Sequence, residues 1–293
     1  MRVENFVFRA RLDKDDIQTK KKLGAKSFEI CLQNESRDEI LKKLGEIDLS
    51  GIDIVAVVPA EDDKLDKNYV TFSNLDEYDE YEALEDAIVV ADYFASELNH
   101  RIKVILYNDY FIEKSDFALM SKYSSTVIKL ADILERFKSI DIVMINAAPF
   151  FMKDGVLSFT GYSIGSTMRL VEKINKYIPG NRVKVGFSVA NALIAAKISA
   201  VVRGCSNSTI DFVSSFNRTA DALEYVQIGN IKNYGYETSE RDTAFLEEDS
   251  EFLKSMLSII EATVPYCMRA ISIDTVNART ELANTLNVIK EMA

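Results

Sequence analysis

Ile52-Asp53-Ile54-Val55-Ala56-Val57-Val58 is an almost continuous apolar run near the start of the chain. A half-buried strand alternates apolar and polar residues, whereas a parallel strand that is covered on both faces does not. A polar segment follows the run. Beyond it comes an apolar stripe at helical spacing, formed by Leu84, Ile88, Ala91, Phe94 and Leu98. Because such a stripe lets a helix bury one side on a sheet, this order predicts one βα unit of a parallel sheet.

The same unit recurs along the whole chain. The other strand-like runs are Asn5–Leu12, Ser27–Leu32, Ile102–Tyr107, Ile140–Asn146, Val183–Ser188, Leu223–Gly229 and Ala270–Asp274. No break in composition separates them, and eight alternating units favour a closed barrel over an open doubly wound sheet. We therefore predict an α/β protein with the (β/α)8 TIM-barrel fold, forming a single domain over residues 1–293.

Composition excludes several classes of function. The net charge of −11 is unsuited to a nucleic-acid surface, which needs a positive field. No apolar run is long enough to span a bilayer, and Met1–Asn5 lacks the design of a signal peptide, so we expect a cytoplasmic protein with no membrane association. Cys31, Cys205 and Cys267 are distant from one another and predict buried thiols rather than disulfides or a metal site.

A barrel of this type carries its active site at the C-terminal ends of its strands. The polar segment Glu61–Tyr81, after the third predicted strand, is predicted to be a long loop on that face. The polar residues at or beyond the strand ends are Glu29, Tyr107, Asn108, Asp109, Asn146, Ser188, Asn191, Gln227, Asn230 and Asp274, with Lys232 and Arg241 following the seventh strand.

Five of these strand segments also carry a family resemblance. The segments are Lys22–Ile30, Val143–Asn146, Gly186–Ala192, Tyr225–Asn230 and Ile271–Asp274. Their order and spacing, over essentially the whole chain, resemble the xylose isomerase-like barrels, a superfamily of sugar and sugar-phosphate isomerases and epimerases. The resemblance implies that the partner is a small polar molecule, a sugar or a sugar phosphate.

The resemblance also implies a divalent cation, which that family holds with Glu, Asp, His and Glu on strands five to eight. The corresponding residues here are Asn146, Ser188, Gln227 and Asp274, and the family's neighbouring His and Asp become Asn191 and Asn230. Neutral amides are poor ligands for such cations. The only histidine, His100, precedes the fourth strand at the opposite end of the barrel. We therefore expect no metal and no cofactor.

The remaining roles follow from charge. Asp274 is the candidate base, and Asp109 and Glu29 are further candidate acids. Two alternatives stay open: Asp274 could anchor a neighbouring loop, and Glu29 could form a salt bridge at the rim. The neutral candidates for hydrogen bonds to ligand hydroxyls are Tyr107, Asn146, Ser188, Asn191, Gln227 and Asn230, and the candidates for anionic or oxygen-rich groups are Lys232 and Arg241. The leading hypothesis is a metal-independent isomerase or epimerase, and the alternative is a pseudoenzyme that only binds a ligand or a partner. Association between copies of the chain is left open.

Overall fold

The fold is a closed barrel of eight parallel strands surrounded by helices. The computed structural model describes residues 6–60, 70–72, 75, 78–108, 117–147, 150–151, 157–158, 163–203, 222–232, 240–243, 247–263, 268–271 and 279–291. The barrel strands are β1 (Val7–Arg11), β2 (Ser27–Cys31), β3 (Asp53–Val58), β4 (Ile102–Asn108), β5 (Ile140–Asn146), β8 (Val183–Ser188), β9 (Leu223–Ile228) and β12 (Met268–Ile271). Two short antiparallel hairpins account for the other strands: β6 (Phe150–Phe151) with β7 (Leu157–Ser158), and β10 (Asn230–Lys232) with β11 (Glu240–Thr243).

Helices alternate with the barrel strands. In the described part of the chain they are α1 (Lys14–Lys22), α2 (Arg37–Leu44), α3 (Tyr78–Leu98), α4 (Phe117–Arg136), α5 (Ile164–Ile174), α6 (Val189–Arg203), α7 (Ser250–Thr263) and α8 (Arg279–Glu291). Their starts follow ordinary capping chemistry. For example, the Ser36 hydroxyl accepts from the Glu39 amide while the Glu39 carboxylate accepts from the Ser36 amide, a capping box at the start of α2. No helix in the described ranges is long and apolar enough to cross a membrane.

The strand order around the ring is β1-β12-β9-β8-β5-β4-β3-β2, and every neighbouring pair is parallel. The predicted (β/α)8 TIM-barrel fold is therefore confirmed. Each of the eight predicted runs overlaps one barrel strand, and the last strand begins at Met268, two residues before its predicted start. Because all eight barrel strands are parallel, their C-terminal ends lie at one rim, which we call the mouth.

The sheet separates two apolar cores. Residues such as Phe8, Ile30 and Met144 pack outwards against the helices. Residues such as Val143 and Ile145 pack inside the ring, in the space that we call the lumen. Successive side chains of a strand point to opposite faces, so each strand contributes to both cores.

The segment after β3 differs from its prediction as a loop. Helix α3 already begins at Tyr78, inside the predicted loop Glu61–Tyr81. In addition, Thr71 forms an isolated parallel bridge with Tyr107 of β4, and the Tyr107 amide donates to the Val70 carbonyl at 3.2 Å. The bridge was not predicted because Val70-Thr71-Phe72, a short run with strand-forming residues, is embedded in a strongly charged segment.

Candidate functional site

A buried hydrogen-bonded network centred on Glu29 occupies the lumen. Glu29 Oε1 accepts from Nε of Arg9 at 2.7 Å, and Oε2 accepts from the Tyr225 hydroxyl at 2.8 Å and from Nε2 of Gln227 at 2.9 Å. The Tyr107 hydroxyl donates in turn to Oε1 of Gln227 at 3.2 Å. The network therefore spans the barrel from β1 and β2 to β4 and β9.

Register explains why these side chains meet. Arg9 and Glu29 are paired positions of β1 and β2, so both point to the same face of the sheet. Tyr225 and Gln227 are two residues apart on β9 and therefore share that face. Glu29 has no exposed surface, and its ion pair with Arg9 lies inside the lumen rather than at the rim. Glu29 thus forms a salt bridge, as one alternative predicted, but the predicted position of this salt bridge at the rim is wrong.

Tyr225 is held in its protonated form by this environment. Burial raises the pKa of its phenol well above the ordinary value, and the nearby negative charge of Glu29 raises it further. A protonated phenol is a donor, and both oxygens of Glu29 are thus engaged by the donors Arg9, Tyr225 and Gln227. Glu29 in this arrangement is an acceptor for its neighbours rather than an open base.

A second polar cluster joins the ends of β5 and β8. Oδ1 of Asn146 accepts from the Ser188 amide at 2.7 Å, and Nδ2 of Asn146 donates to the Ser188 carbonyl at 3.3 Å. The Ser188 hydroxyl accepts from the Asn191 amide at 3.2 Å, as an N-cap of α6 does, and Nδ2 of Asn191 donates to the Asn146 carbonyl at 2.9 Å. The backbone pairing of β5 with β8 ends at Met144, so the Asn146 amide continues it with side-chain hydrogen bonds.

The face on which Asn146 lies follows from its neighbours. Ile145 and Ala147 belong to the lumen core, so Asn146 between them points away from the lumen. Asn108, its partner in register on β4, likewise turns outwards and donates to the Thr167 hydroxyl of α5 at 3.1 Å. The lumen-facing side chains at the mouth end of β5, those of Val143 and Ile145, are hydrocarbon.

Gly186 on β8 shows how closely that hydrocarbon packs. A Cβ at this position would lie 2.6 Å from Cγ1 of Val143 and 2.7 Å from Cγ1 of Ile145. Carbon atoms in contact are about 3.5–4.0 Å apart, so only glycine fits here. In this chain, apolar side chains therefore fill the lumen beside the ends of β5 and β8.

The remaining predicted residues lie around the mouth or outside the described ranges. Nδ2 of Asn230 donates to Oδ2 of Asp249 at 2.9 Å, just before α7. Lys232 and Arg241 belong to the hairpin of β10 and β11, which follows β9 at the mouth. Asp109 and Asp274, the principal predicted acids, lie outside the described residues.

Among the residues that the structure describes, those at the positions implied by the family resemblance do not fit a divalent cation. Asn146 binds the backbone of Ser188, the Ser188 hydroxyl caps α6, and both ends of the Gln227 amide are engaged by Tyr107 and Glu29. These groups are neutral and already hydrogen-bonded, whereas divalent cations require carboxylates or imidazoles. Within the described ranges, no group of three His, Cys, Asp or Glu side chains could hold a metal ion.

His100 lies at the other end of the barrel, just before β4. Its Nε2 is 2.6 Å from Oδ1 of Asp53, at the start of β3, and the imidazole is exposed. The predicted position of the only histidine, away from the mouth, agrees with the structure.

Arg9, Tyr225 and Thr71 were not recognised as site residues from the sequence. For Arg9 a signal existed, because a charged residue in the middle of the buried run Phe6–Ala10 requires a partner. Tyr225 belongs to the segment Tyr225–Asn230, which carries the family resemblance, but nothing local indicates that its hydroxyl reaches a residue of β2. Thr71 was hidden in the predicted loop.

Comparisons with known proteins support the same fold. No protein-family model matches the sequence, and no curated protein is significantly similar to it. Three solved structures share the architecture over nearly the whole chain. A xylose isomerase domain protein from Planctomyces limnophilus has a TM-score of 0.61 at 11% identity, covering 98% of this chain and 96% of that chain.

A D-tagatose 3-epimerase-like protein has a TM-score of 0.59 at 17% identity, covering 98% of this chain and 99% of that one. The IolI protein, whose structure contains a bound zinc atom, has a TM-score of 0.56 at 11% identity over 98% and 97% of the two chains. At these identities the likeness shows the fold. The chain has a (β/α)8 TIM-barrel fold similar to the folds of the xylose isomerase domain protein and the D-tagatose 3-epimerase-like protein, as the sequence resemblance predicted.

Proposed function

We propose that this barrel binds a sugar or a sugar phosphate at its mouth and acts on it as an isomerase or epimerase without a divalent cation. The observation that carries the proposal is the buried network of Arg9, Glu29, Tyr225, Gln227 and Tyr107. A buried ion pair contributes little net stability, because hydrocarbon of the same volume is often as good or better. A lumen that keeps such a network is suited to a polar ligand above it.

The substrate class rests on the fold. The structural neighbours include a D-tagatose 3-epimerase-like protein and an L-ribulose 3-epimerase. Both names denote proteins of ketose chemistry, and small polyols match a site with neutral hydrogen-bonding groups. Lys232 and Arg241, on the hairpin at the mouth, are the proposed contacts for ligand oxygens or a phosphate.

The proposed chemistry needs a base and an acid. Removal of a proton from the carbon beside a carbonyl forms an enediolate, and return of a proton to either carbon completes isomerisation or epimerisation. Asp274 is the proposed base and Asp109 the proposed second acid. Glu29 is the less suitable of the three, because Arg9, Tyr225 and Gln227 already occupy its two oxygens.

The occupied oxygens of Glu29 favour a second candidate, a pseudoenzyme that binds the ligand without turnover. If Glu29 cannot act as a base, proton transfer depends entirely on Asp274 and Asp109. Ligand binding, in contrast, requires neither acid. The two candidates share a binding site and differ only in whether a carbon-bound proton exchanges.

Deuterium exchange separates the candidates. The protein would be incubated in D2O with D-fructose, D-tagatose or their phosphates, in the presence of Mn²⁺ or of EDTA. NMR would follow the incorporation of deuterium into the sugar. A thermal-shift measurement would report binding. If the protein is a metal-independent isomerase or epimerase, the sugar incorporates deuterium equally in the presence of EDTA and of Mn²⁺. Asp274→Asn should abolish this exchange. Glu97→Gln, an exposed control near the C-terminal end of α3, should leave it unchanged.

Each other outcome has a definite meaning. Thermal stabilisation without deuterium incorporation supports the binding-only candidate. Exchange that requires Mn²⁺ contradicts the metal-independent reaction. The absence of both stabilisation and exchange across the panel contradicts the proposed function altogether.

A further inference from the structure

Thr71 lies at the edge of the barrel wall, where β3 has ended and β4 continues. Its bridge with Tyr107 and the bond from the Tyr107 amide to the Val70 carbonyl extend the sheet beside the C-terminal end of β4. The Thr71 amide donates to Oε2 of Glu80 on α3 at 3.4 Å. The backbone of this short segment is therefore held on both sides.

The Thr71 side chain faces the lumen. Val70 and Phe72 on either side of it belong to the outer core. Residues paired in a parallel bridge share one face of the sheet, so Thr71 points to the face occupied by its bridge partner Tyr107 in the lumen core. Thr71 thus stands beside Tyr107, which is linked through Gln227 to Glu29.

The Thr71 hydroxyl has no hydrogen-bond partner among the residues that the structure describes, although the residue is completely buried. An unpaired buried hydroxyl destabilises the folded state, and valine would have the same shape without that penalty. By contrast, the equally buried Thr167 accepts from Asn108 and donates to the Ser163 carbonyl. The Thr71 hydroxyl is a hydrogen-bonding group left over at the polar wall of the lumen.

We infer that the Thr71 hydroxyl is a specificity-determining contact for the neutral polyhydroxy part of the ligand, where it hydrogen-bonds one hydroxyl or carbonyl oxygen. The inference rests on the proposed function. A threonine hydroxyl both donates and accepts, as a sugar hydroxyl does, whereas an anionic group prefers a cation. A site that is built to bond a hydroxyl discriminates against an analogue that lacks it.

The test is a double-mutant cycle in which one change removes the Thr71 hydroxyl and the other removes a hydroxyl of the sugar. Affinities of D-fructose, D-tagatose and deoxy analogues of each, lacking one hydroxyl at a time, would be measured by calorimetry for the unaltered protein, Thr71→Val and Thr71→Ser. We expect Thr71→Val to weaken binding of the parent sugar about tenfold. The deoxy analogue that lacks the bonded hydroxyl should bind Thr71→Val and the unaltered protein with equal affinity. Thr71→Ser, which keeps a hydroxyl, should keep most of the affinity for the parent sugar.

Stability without ligand supplies an independent readout. Thr71→Val should leave the Tm unchanged or raise it, whereas Thr167→Val, which removes a bonded hydroxyl, should lower it. If Thr71→Val lowers the Tm as much as Thr167→Val, the hydroxyl serves the fold through an ordered water and the inference is wrong.

The binding results also distinguish this inference from the proposed function. If the sugars bind and Thr71→Val binds them equally well, or weakens every analogue by the same factor, the inference fails while the proposed function stands. If no sugar of the panel binds the unaltered protein, the proposed function fails and the inference fails with it.

Discussion

Nε of Arg9 lies 2.7 Å from Oε1 of Glu29, and both side chains are buried inside the barrel. The two residues belong to neighbouring strands, and their register brings them face to face. The Tyr225 hydroxyl and Nε2 of Gln227 complete the shell of Glu29, and both of them donate to its other oxygen. A buried carboxylate that accepts from three donors cannot be replaced by a neutral amide without loss of stability.

Replacement of Glu29 by glutamine should destabilise the fold by about 3–5 kcal/mol. Glutamine has the same shape, but its NH2 group would face a donor, whichever way the amide turned, and Arg9 would lose the opposite charge of Glu29. Urea unfolding of Glu29→Gln measures the loss. Glu251→Gln, which alters the pair of the highly exposed Glu251 with Lys254, should change nothing measurable. A loss below about 1 kcal/mol in Glu29→Gln would mean that the buried pair is unimportant for folding.

A second prediction concerns Tyr225 and alkaline pH. Its pKa is raised in the folded protein, first by burial and then by the charge of Glu29, whereas the phenol of the unfolded chain ionises near pH 10. The stabilisation from this residue is therefore complete below pH 10. It is lost as the pH rises from about 10 towards the folded pKa, because the unfolded state then releases its proton first.

Urea unfolding between pH 8 and pH 11.5 checks this dependence. Tyr225→Phe should be less stable at pH 8 by about 2 kcal/mol, through the lost bond to Glu29, and its stability should fall less steeply above pH 10. Tyr177→Phe, at an exposed ring, serves as the control. Identical slopes for Tyr225→Phe and the unaltered protein above pH 10 would contradict the raised pKa.

A third prediction tests the packing of the lumen at Gly186. Alanine here would place Cβ 2.6 Å from Val143 and 2.7 Å from Ile145, so Gly186→Ala should destabilise the protein by about 1–3 kcal/mol. Gly165→Ala in the first turn of α5, where a Cβ meets no atom within 4 Å, should instead stabilise it by about 0.5–1 kcal/mol. Thermal unfolding of the two variants measures the contrast, and equal effects would show that the lumen is less tightly packed than described.

A fourth prediction concerns Asn146. Asn146→Leu removes both hydrogen bonds to the Ser188 backbone and leaves the buried amide of Ser188 without its acceptor. The free energy of unfolding should fall by about 1–3 kcal/mol. Asn287→Leu, on the exposed face of α8, should stay within about 0.5 kcal/mol of the unaltered protein. Denaturant unfolding compares them.

The direction of Asn146 also has a consequence for metal binding. Because its side chain turns towards Ser188 and away from the lumen, Asn146→Glu should not create a site for Mn²⁺. Calorimetric titration with Mn²⁺ should show no added binding in this variant. A new stoichiometric site would mean that residue 146 reaches the lumen after all.

The fold was accessible from local patterns, and the contacts at the site were not. Runs such as Ile52–Val58 and Ile140–Asn146 are apolar throughout, which identifies them as buried parallel strands. The same uniformity removes the alternation that would show which residues face the lumen. For this reason the sequence could not indicate that Ile145, rather than Asn146, points inwards.

The pairing of Glu29 with Arg9, Tyr225 and Gln227 was equally inaccessible. Glu29 and Tyr225 are separated by 196 residues, and only closure of the ring brings β9 within reach of β2. The sequence indicated a salt bridge for Glu29 without its partner. Thr71 was missed because its short strand-like run lies among charged residues that dominate the pattern.

Hydrophobic periodicity by itself determined that this chain forms eight strands alternating with helices, because burial on both sides of a parallel sheet leaves that pattern in any such sequence. The sequence also determined that amide side chains, those of Asn146, Gln227 and Asn230, stand at or beyond the strand ends. Only the tertiary structure decided which of those side chains enter the lumen and which bind the backbone. Strand register and ring closure set these directions, and both depend on contacts between residues that are far apart in sequence.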